Sequence, residues 1–485
     1  MAFFLIVAIT TGQLKAQTLS EAFIAAYRSN PGLQSQRLQA REVDEMVPEA
    51  LSGYKPKVFG DAFYGATRRD GTNLGRDGAS NETYGYGAKI EQPLFDGFRT
   101  RNSVSEAEAE VRAAHQNLRA RQAEVLLQTA TSYFDVLRDE GVALYRRKNL
   151  TALRRELIGA RDRLGRGQAT VTDVEQTKQR LSIARSDLEK AAARLRISQI
   201  RFARITGLKA QNLRMPKSPH SLVPRSLRKA VAIAEGSSPI IKAAQSKHEA
   251  AKYAVGKARG ELLPEATLVG SYVREFNSTT GTGDEDTASV VGRLRVPLYQ
   301  GGAAFARVRR AQLSADSRDR DVRDAKLRIG EAVGAAWTEL RATQRRLGLE
   351  RDAVTAGEKA LDAVREEQQA GRRTVLDVLD AERELVSARI RLLTTQRDLH
   401  VTTYALLRST GQLSIAQLVP GAEQYDPRQH YRAVRGKWWG IENPNAGGDG
   451  FLGSDQQARE ARRYRIQAQP TVRGWNTKVS DQRRR

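Results

Sequence analysis

Cysteine is absent from the 485-residue sequence. Its absence excludes disulfide bridges, zinc–thiolate and iron–sulfur sites, a cysteine nucleophile and lipidation of an amino-terminal cysteine. The five histidines are scattered along the chain without the spacing of metal ligands. The sequence also shows no nucleophile–base set, phosphate-binding loop or pair of carboxylates in an apolar setting. We therefore expect no catalytic residues, no metal and no cofactor, and an enzyme is the least favoured class of function.

Aromatic residues and proline are also scarce. Aromatic residues make up 6% of the chain and proline only 14 residues, whereas alanine, arginine, glutamine, glutamate and leucine are abundant. This composition favours long helices or coiled coils over a thick mixed core. The formal net charge is +24, but 56 acidic residues are interleaved with the 80 basic ones. The interleaving predicts solvated helix faces, so no nucleic-acid partner is expected.

The chain begins with an apolar run from Ala2 to Ile9, followed by polar residues and Ala16. This pattern predicts a secretory signal peptide over residues 1–16. No lysine or arginine precedes the apolar run, which leaves the true start codon open. After this segment, no stretch approaches the ~18 apolar residues of a membrane-spanning helix.

The sequence contains one pattern twice. The stretches GQATVTDVEQTKQRL (Gly167–Leu181) and GRRTVLDVLDAEREL (Gly371–Leu385) share glycine, threonine, valine, aspartate and leucine at matching positions, 204 residues apart. Nearer the amino terminus, Pro56 and Pro264 match at a spacing of 208 residues, whereas Pro93 and Pro297 match at 204. The register therefore changes between Pro56 and Pro93, where we expect a surface loop of different length in the two copies.

The two copies predict tandem structural repeats over residues 17–212 and 226–412, joined by a linker at 213–225. Each repeat is predicted to contain a helix of roughly thirty residues, two strands, a very long helix, a Gly–Thr–Asp turn and a second long helix. The helices are predicted at Leu19–Ala50, Arg99–Leu164 and Val171–Ile205 in the first repeat, and at Leu227–Lys257, Ala304–Gln369 and Val375–Ser409 in the second.

The turns between the paired long helices carry recognisable end signals. Thr170 with Asp173, and Thr374 with Asp377, are capping-box-like helix starts. The long helices have apolar residues at steps of three and four, as coiled coils do. A helix of ~66 residues is about 100 Å long, so the paired helices predict a rod or tube.

Four segments alternate apolar with small or polar residues over about 9–12 positions, the length of a tilted strand that crosses a bilayer. A soluble hairpin packed on another element is the alternative. Four strands cannot cover their own edges, so closure in a membrane requires further copies of the chain. Two copies would give an eight-strand barrel filled by side chains, and three copies would give a twelve-strand barrel with a lumen. A function as a conduit needs a lumen and therefore favours three copies. The segments are Lys55–Arg69, Thr83–Phe95, Pro264–Phe276 and Ala288–Tyr299.

From about Leu19 to Gln412, the chain resembles the TolC family of outer-membrane efflux and secretion ducts, in its type I secretion branch. The resemblance implies a mainly α-helical fold with a membrane β-barrel. In that fold, tandem-duplicated long helical hairpins form an α-barrel, and four strands per chain contribute to a trimeric twelve-strand β-barrel. The motifs that support the resemblance are the NP.L element (Asn30–Leu33), QPLFDG (Gln92–Gly97), PLYQGG (Pro297–Gly302) and GRRTVLDVLDAE (Gly371–Glu382).

The family resemblance also implies location and partners. The expected protein is a homotrimeric, passive conduit in the outer membrane that extends into the periplasm. It would contact outer-membrane lipid, a periplasmic adaptor and an inner-membrane ABC or other export transporter. The cargo and the identity of these partners are left open.

By resemblance, Asp377 and Asp380 line the periplasmic constriction. Arg373 is implied to form links toward the first hairpin, where Thr172 and Asp173 match the family pattern. Three copies of each acid would form a six-carboxylate ring, which is costly to narrow without counter-charge. Asp377 is alternatively a helix-starting acid, and both roles are compatible.

The family's locking tyrosine is replaced by Gln368, so the lock is weaker or rebuilt. The hairpin turns are expected to contact the adaptor, through Gly167, Thr170, Gly371 and Thr374.

After the second repeat, residues 413–440 are predicted to pack on the barrel, and 441–485 to form a disordered basic tail. The sequence leaves two alternatives to a duct. A soluble basic coiled-coil scaffold would explain the charge and helices but not the strand pairs. A periplasmic adaptor would have one hairpin within a β-rich chain rather than two tandem copies.

Overall fold

A computed structural model describes residues 17–69, 79–216, 222–277 and 283–441. The predicted signal peptide, the tail from residue 442 and part of the predicted linker lie outside these ranges. The first repeat contains α1 (Leu19–Ser29), α2 (Pro31–Asp44), α3 (Met46–Leu51), β1 (Lys57–Arg69), β2 (Ala79–Phe95), α4 (Arg99–Gly165) and α5 (Val171–Thr206).

The second repeat has the same order of elements, except that two helices precede its strands where the first repeat has three, and two short helices follow it. The mainly helical fold with four strands is confirmed, whereas closure of a barrel from several chains stays a prediction. The elements are α6 (Leu227–Ser237), α7 (Pro239–Gly260), β3 (Glu265–Phe276), β4 (Glu285–Arg295), α8 (Ala303–Gln369), α9 (Val375–Ser409), α10 (Ile415–Leu418) and α11 (Arg428–Val434).

The first helix of each repeat is broken, which corrects the prediction of one continuous helix. Proline disfavours helical geometry in the residue before it, and Asn30 is accordingly extended, with ψ 117°. The Asn30 side chain caps α2 by accepting a bond from the Leu33 amide at 3.2 Å, and its Nδ2 donates to the Ile205 carbonyl at 3.1 Å. Ser238 before Pro239 produces the matching break in the second repeat.

The two long helices, α4 and α8, contain 67 residues each, or about 100 Å at 1.5 Å per residue. Each runs to a tight turn and returns as α5 or α9, forming one long helical hairpin per repeat. The first hairpin is α4–α5 and the second hairpin is α8–α9. No helix in the described ranges is both long enough and apolar enough to cross a membrane.

The four strands form one antiparallel sheet in the order β1–β2–β3–β4. The central pair, β2 with β3, joins the two repeats, with Ala88 opposite Tyr272. In the described part of the chain, β1 and β4 each have a neighbour on one side only. Four strands are present at the predicted places, with two differences in bounds. β2 is longer than expected, at 17 residues, and β4 spans Glu285–Arg295 instead of the predicted Ala288–Tyr299. A single chain therefore has two open sheet edges.

The register separates an apolar from a polar face, because directly paired residues point to the same side of a sheet. One row across the four strands is apolar or glycine, and the next row includes a lysine and two serines that are hydrogen-bonded at 2.9 Å. The apolar row is Val58, Ile90, Gly270 and Val290; the polar row is Phe59, Lys89, Ser271 and Ser289.

An aromatic core lies midway along the helices and unites both repeats with the carboxyl-terminal segment. Phe134 and Phe202 of the first hairpin and Tyr404 of the second are buried in it. Burial raises the pKa of Tyr133 to about 12, so its hydroxyl stays protonated and donates to the Arg214 carbonyl at 2.6 Å. The core therefore fixes the two hairpins relative to each other far from their tips.

The segment after the second repeat lies against α2 and α4. Arg41 donates a hydrogen bond to the Tyr425 hydroxyl at 3.0 Å. In α11, buried His430 lies 3.1 Å from one oxygen of buried Asp44, whose other oxygen is 3.0 Å from His115. These contacts fasten the segment to the helices; that the covered face is the outside of a barrel stays a prediction.

Candidate gating site at the hairpin tips

The tip of each hairpin has the same pattern, Gly-x-x-Thr-x-x-Asp, in which x is any residue. Gly167 and Gly371 have φ of 71° and 75°, a left-handed conformation that glycine adopts without strain. In the first tip, the Asp173 carboxylate accepts bonds from the amide and hydroxyl of Thr170 at 2.9 and 2.8 Å. The Asp173 amide in turn donates to the Thr170 hydroxyl at 3.2 Å.

The second tip repeats this capping box. Asp377 accepts from the Thr374 amide and hydroxyl at 2.9 and 2.8 Å, and donates its amide to that hydroxyl at 3.2 Å. The predicted capping boxes are therefore present. The bonds from the threonines lower the pKa of Asp173 and of Asp377, so both carboxylates are charged at neutral pH. One oxygen of each acid stabilises the helix start.

Asp380 joins the second hairpin to the first. Its Oδ1 lies 2.7 Å from Nη2 of Arg180 on α5, and 3.4 Å from Nη2 of Arg383 one turn along α9. Arg180 retains 22% and Asp380 39% of side-chain exposure. The partly buried arginine therefore neutralises this acid across the two hairpins of one chain.

Beside this ion pair, the hairpins share an apolar tip core. Leu379 of α9 is only 4% exposed and inserts among residues of α4 and α5. The apolar contact and the Arg180–Asp380 pair together hold the second tip against the first. The other members of the tip core are Leu150, Leu153, Leu157, Ala160, Val174, Leu181 and Ala184.

Arg373 contacts its own hairpin. Its Nε donates to Glu367 Oε2 at 2.9 Å, and this bond raises the pKa of Arg373. Within the described residues of one chain, no hydrogen bond or ion pair joins Arg373 to Thr172 or Asp173. The implied link to the first hairpin is therefore not made inside a single chain, and a link between neighbouring chains stays a prediction.

Further along the second hairpin, four ion pairs connect α8 to α9. They are distributed along the hairpin, so charge contributes to holding these two helices together. The pairs are Arg365–Glu382 at 2.6 Å, Glu358–Arg389 at 2.7 Å, Glu350–Arg391 at 3.3 Å and Arg346–Asp398 at 3.4 Å.

Sequence reasoning missed Arg180 and Glu367 as partners of the site. Arg180 follows Asp173 by seven residues, two helical turns, so it lies on the same face of α5. This spacing indicated the helix face of Arg180 but not its partner. The pairing of Glu367 with Arg373 depends on the turn geometry, because it spans the hairpin bend and no helical spacing predicts it.

Comparison with known proteins gives a match to each repeat separately. The family model described as outer membrane efflux protein matches residues 25–208 and 231–412. The outer membrane efflux protein BepC of Brucella suis is 35% identical over 440 residues, covering 90% of this chain and 95% of BepC. The outer membrane protein TolC of Vibrio cholerae is 26% identical over 407 residues, covering 82% of this chain and 92% of that protein.

The fold is also that of a solved structure. The outer membrane protein VceC from Vibrio cholerae superposes with a TM-score of 0.70 at 20% identity, covering 81% of this chain and 96% of VceC. The resemblance to TolC is thus confirmed by sequence and by fold. The chain belongs to the outer membrane efflux protein family.

Proposed function

We propose that this protein is the outer-membrane channel-tunnel of a tripartite efflux or type I secretion system. It is a passive conduit across the periplasm and the outer membrane, without catalytic activity of its own. The observation that carries the proposal is a four-stranded sheet with two open edges at one end of helical hairpins about 100 Å long. The soluble scaffold and the adaptor are not favoured, because the family match spans both repeats.

The open edges support a homotrimer. In a bilayer every backbone polar group needs a partner, so β1 of one chain must pair with β4 of another. Three copies of four strands give a twelve-strand barrel with a lumen, whereas eight strands would be filled by side chains. The apolar row that includes Val58 and Val290 then faces lipid, and the row that includes Lys89 and Ser271 faces the lumen.

The hairpin tips form the gate at the periplasmic end. Asp377 and Asp380 from three chains supply six carboxylates around the closing aperture, and counter-charge lowers the cost of bringing them together. Arg180 supplies that charge to Asp380 at 2.7 Å. Opening separates the second hairpin from the first, which breaks this pair and withdraws Leu379 from the tip core.

The adaptor contacts the exposed turns around Gly167, Thr170, Gly371 and Thr374. These turns are the ends of the duct, and the capping boxes give both of them a defined backbone shape. The adaptor connects the duct to an inner-membrane ABC or other export transporter, which supplies the energy.

Single-channel recording in planar bilayers tests this function. Purified protein is expected to insert and to give discrete conductance steps that favour cations, because the tips present carboxylates. Protein that fractionates with membranes but never conducts would contradict the duct, and protein recovered only from the aqueous fraction would support the soluble scaffold.

A further inference from the structure

The last described residues form a basic segment that ends in two tryptophans. Residues 428–441 read RQHYRAVRGKWWGI and contain four arginine or lysine residues and no acidic residue. Trp438 and Trp439 retain 62% and 87% of their exposure, and Ile441 is fully exposed. Large exposed apolar side chains in a cluster mark an interaction surface. Residues Arg435–Ile441 are called the tryptophan segment below.

The tryptophan segment is fixed at the base of the sheet. The Lys55 ammonium donates to the Lys437 carbonyl at 2.7 Å and lies 4.9 Å from the centre of the Trp438 ring. Lys55 precedes the first residue of β1, Lys57, by only two positions. The segment therefore lies at the level where the strands begin.

Other exposed aromatic side chains lie at this level. The chain enters β1 just after Tyr54 and leaves β2 at Phe95, which packs edge-to-face with Phe98 at 5.2 Å. Tyrosine and tryptophan concentrate where a membrane-spanning element meets the headgroup layer, because their rings are amphipathic. The exposed side chains are Tyr54 at 52%, Phe95 at 37%, Phe98 at 50% and Tyr299 at 79%.

A basic hollow adjoins the tryptophans. It has a volume of about 520 Å³ and lies between α3 and the tryptophan segment. Three of its lining residues, Lys55, Arg432 and Arg435, are cationic; Arg435 is also paired with Glu108 at 3.1 Å. Basic residues near a bilayer surface are attracted to anionic headgroups.

We propose that the tryptophan segment binds the periplasmic leaflet of the outer membrane. Trp438 and Trp439 enter the headgroup region, and Arg432 and Lys437 contact the phosphates of anionic phospholipid. The segment extends the aromatic belt of the sheet beyond the strands and fastens the end of the helical part to the bilayer. The inference rests on the proposed function, since it requires the strands to be in a membrane.

Fluorescence quenching by brominated phospholipid tests the contact, because only four tryptophans are present. A variant with Trp337→Phe and Trp475→Phe retains only Trp438 and Trp439, and this pair is the fluorescent reporter. A second variant, with all four tryptophans changed to phenylalanine and Tyr64→Trp, reports on the apolar face of β1. Phe63→Trp in that background is the matched control on the opposite face. All are reconstituted as full chains into phosphatidylcholine vesicles with phosphatidylglycerol.

The pair and the Tyr64→Trp reporter are both expected to be quenched, the pair more strongly by bromine near the headgroup than by bromine deep in the acyl chain. Quenching of Tyr64→Trp without quenching of the pair overturns the inference and leaves the duct in place; in that case another chain or a protein covers the tryptophans. If neither is quenched, the sheet is not in the bilayer and the proposed function fails as well.

The charge component has its own measurement. Changing Lys437→Ser in the two-tryptophan variant is expected to reduce the additional quenching that phosphatidylglycerol gives over phosphatidylcholine alone. One cation near an anionic surface changes lipid association by about fivefold. Equal quenching of Lys437→Ser and its parent in both lipids overturns the role of the basic residues.

Discussion

Loss of the ion pair between Arg180 and Asp380 should open the periplasmic end of the duct. Arg180→Gln removes the positive charge that neutralises Asp380, and Asp380→Asn removes its partner. Because both side chains are partly exposed, at 22% and 39%, solvent screens the pair, and a contribution of about 0.5–1 kcal/mol is expected. Three pairs in a trimer that opens in concert give about 1.5–3 kcal/mol, or a tenfold to hundredfold rise in the open/closed ratio.

The assay is the open/closed ratio in planar bilayers, measured for both single variants and the double variant. The double variant should change gating less than the sum of the single variants, since each removes the same interaction. Lys178→Gln is the matched control, because Lys178 also pairs on α5, with Glu175 at 3.3 Å, but stays 57% exposed and within one helix.

Strict additivity of Arg180→Gln and Asp380→Asn would refute the pairing. An equal effect of Lys178→Gln would show that the change reports only the loss of positive charge near the aperture. Either result would remove the main support for a gate held by this contact.

Further predictions concern the same tips. Thr170→Ala should cost about 1 kcal/mol by removing a helix cap. Part of this cost is the bond from the Thr170 hydroxyl to the Asp173 carboxylate, whose pKa is lowered in the folded state. The difference in melting temperature from wild type should therefore be largest above the ordinary carboxyl pKa of about 4 and decrease as the pH falls through the folded-state pKa, leaving the pH-independent bond from the Asp173 amide. A difference unchanged at acid pH would contradict the contribution of the carboxylate. Leu379→Ala should cost about 2–5 kcal/mol and accelerate proteolysis at the tips, whereas unchanged protection would show that its apolar contact is dispensable. Arg373→Ser combined with Asp173→Ala should raise single-channel conductance, and unchanged conductance and closed-state lifetime would argue against a link between neighbouring chains.

Local signals predicted the helical hairpins well. The duplicated Gly–Thr–Asp turn predicted the position of both hairpin tips, because a capping box depends only on residues three apart. The broken first helices were missed because the NP.L element was used only as a family motif, although proline also restricts the residue before it.

The interior of the site was harder to predict. The contact between Arg180 and Asp380 joins residues 200 positions apart, so it depends on how the two hairpins pack and not on any local pattern. The packing of Leu379 on α4 and α5 was equally hard to predict. An apolar position on a helix predicts burial, but it does not indicate which element covers it. Asp377 and Asp380 were predicted from the family resemblance, whereas their partners were identified only in the structure.

The most direct test of the account is a cysteine cross-link between the two open edges of the sheet. The chain has no cysteine, and β1 and β4 lie three strand spacings, about 14 Å, apart within one chain, too far for an internal disulfide. Ala62→Cys on β1, combined in turn with single cysteines along β4 around Val290, should give covalently linked trimers on denaturing gels at one register after oxidation in membranes. Uncross-linked single chains at every register would contradict a barrel shared by three copies.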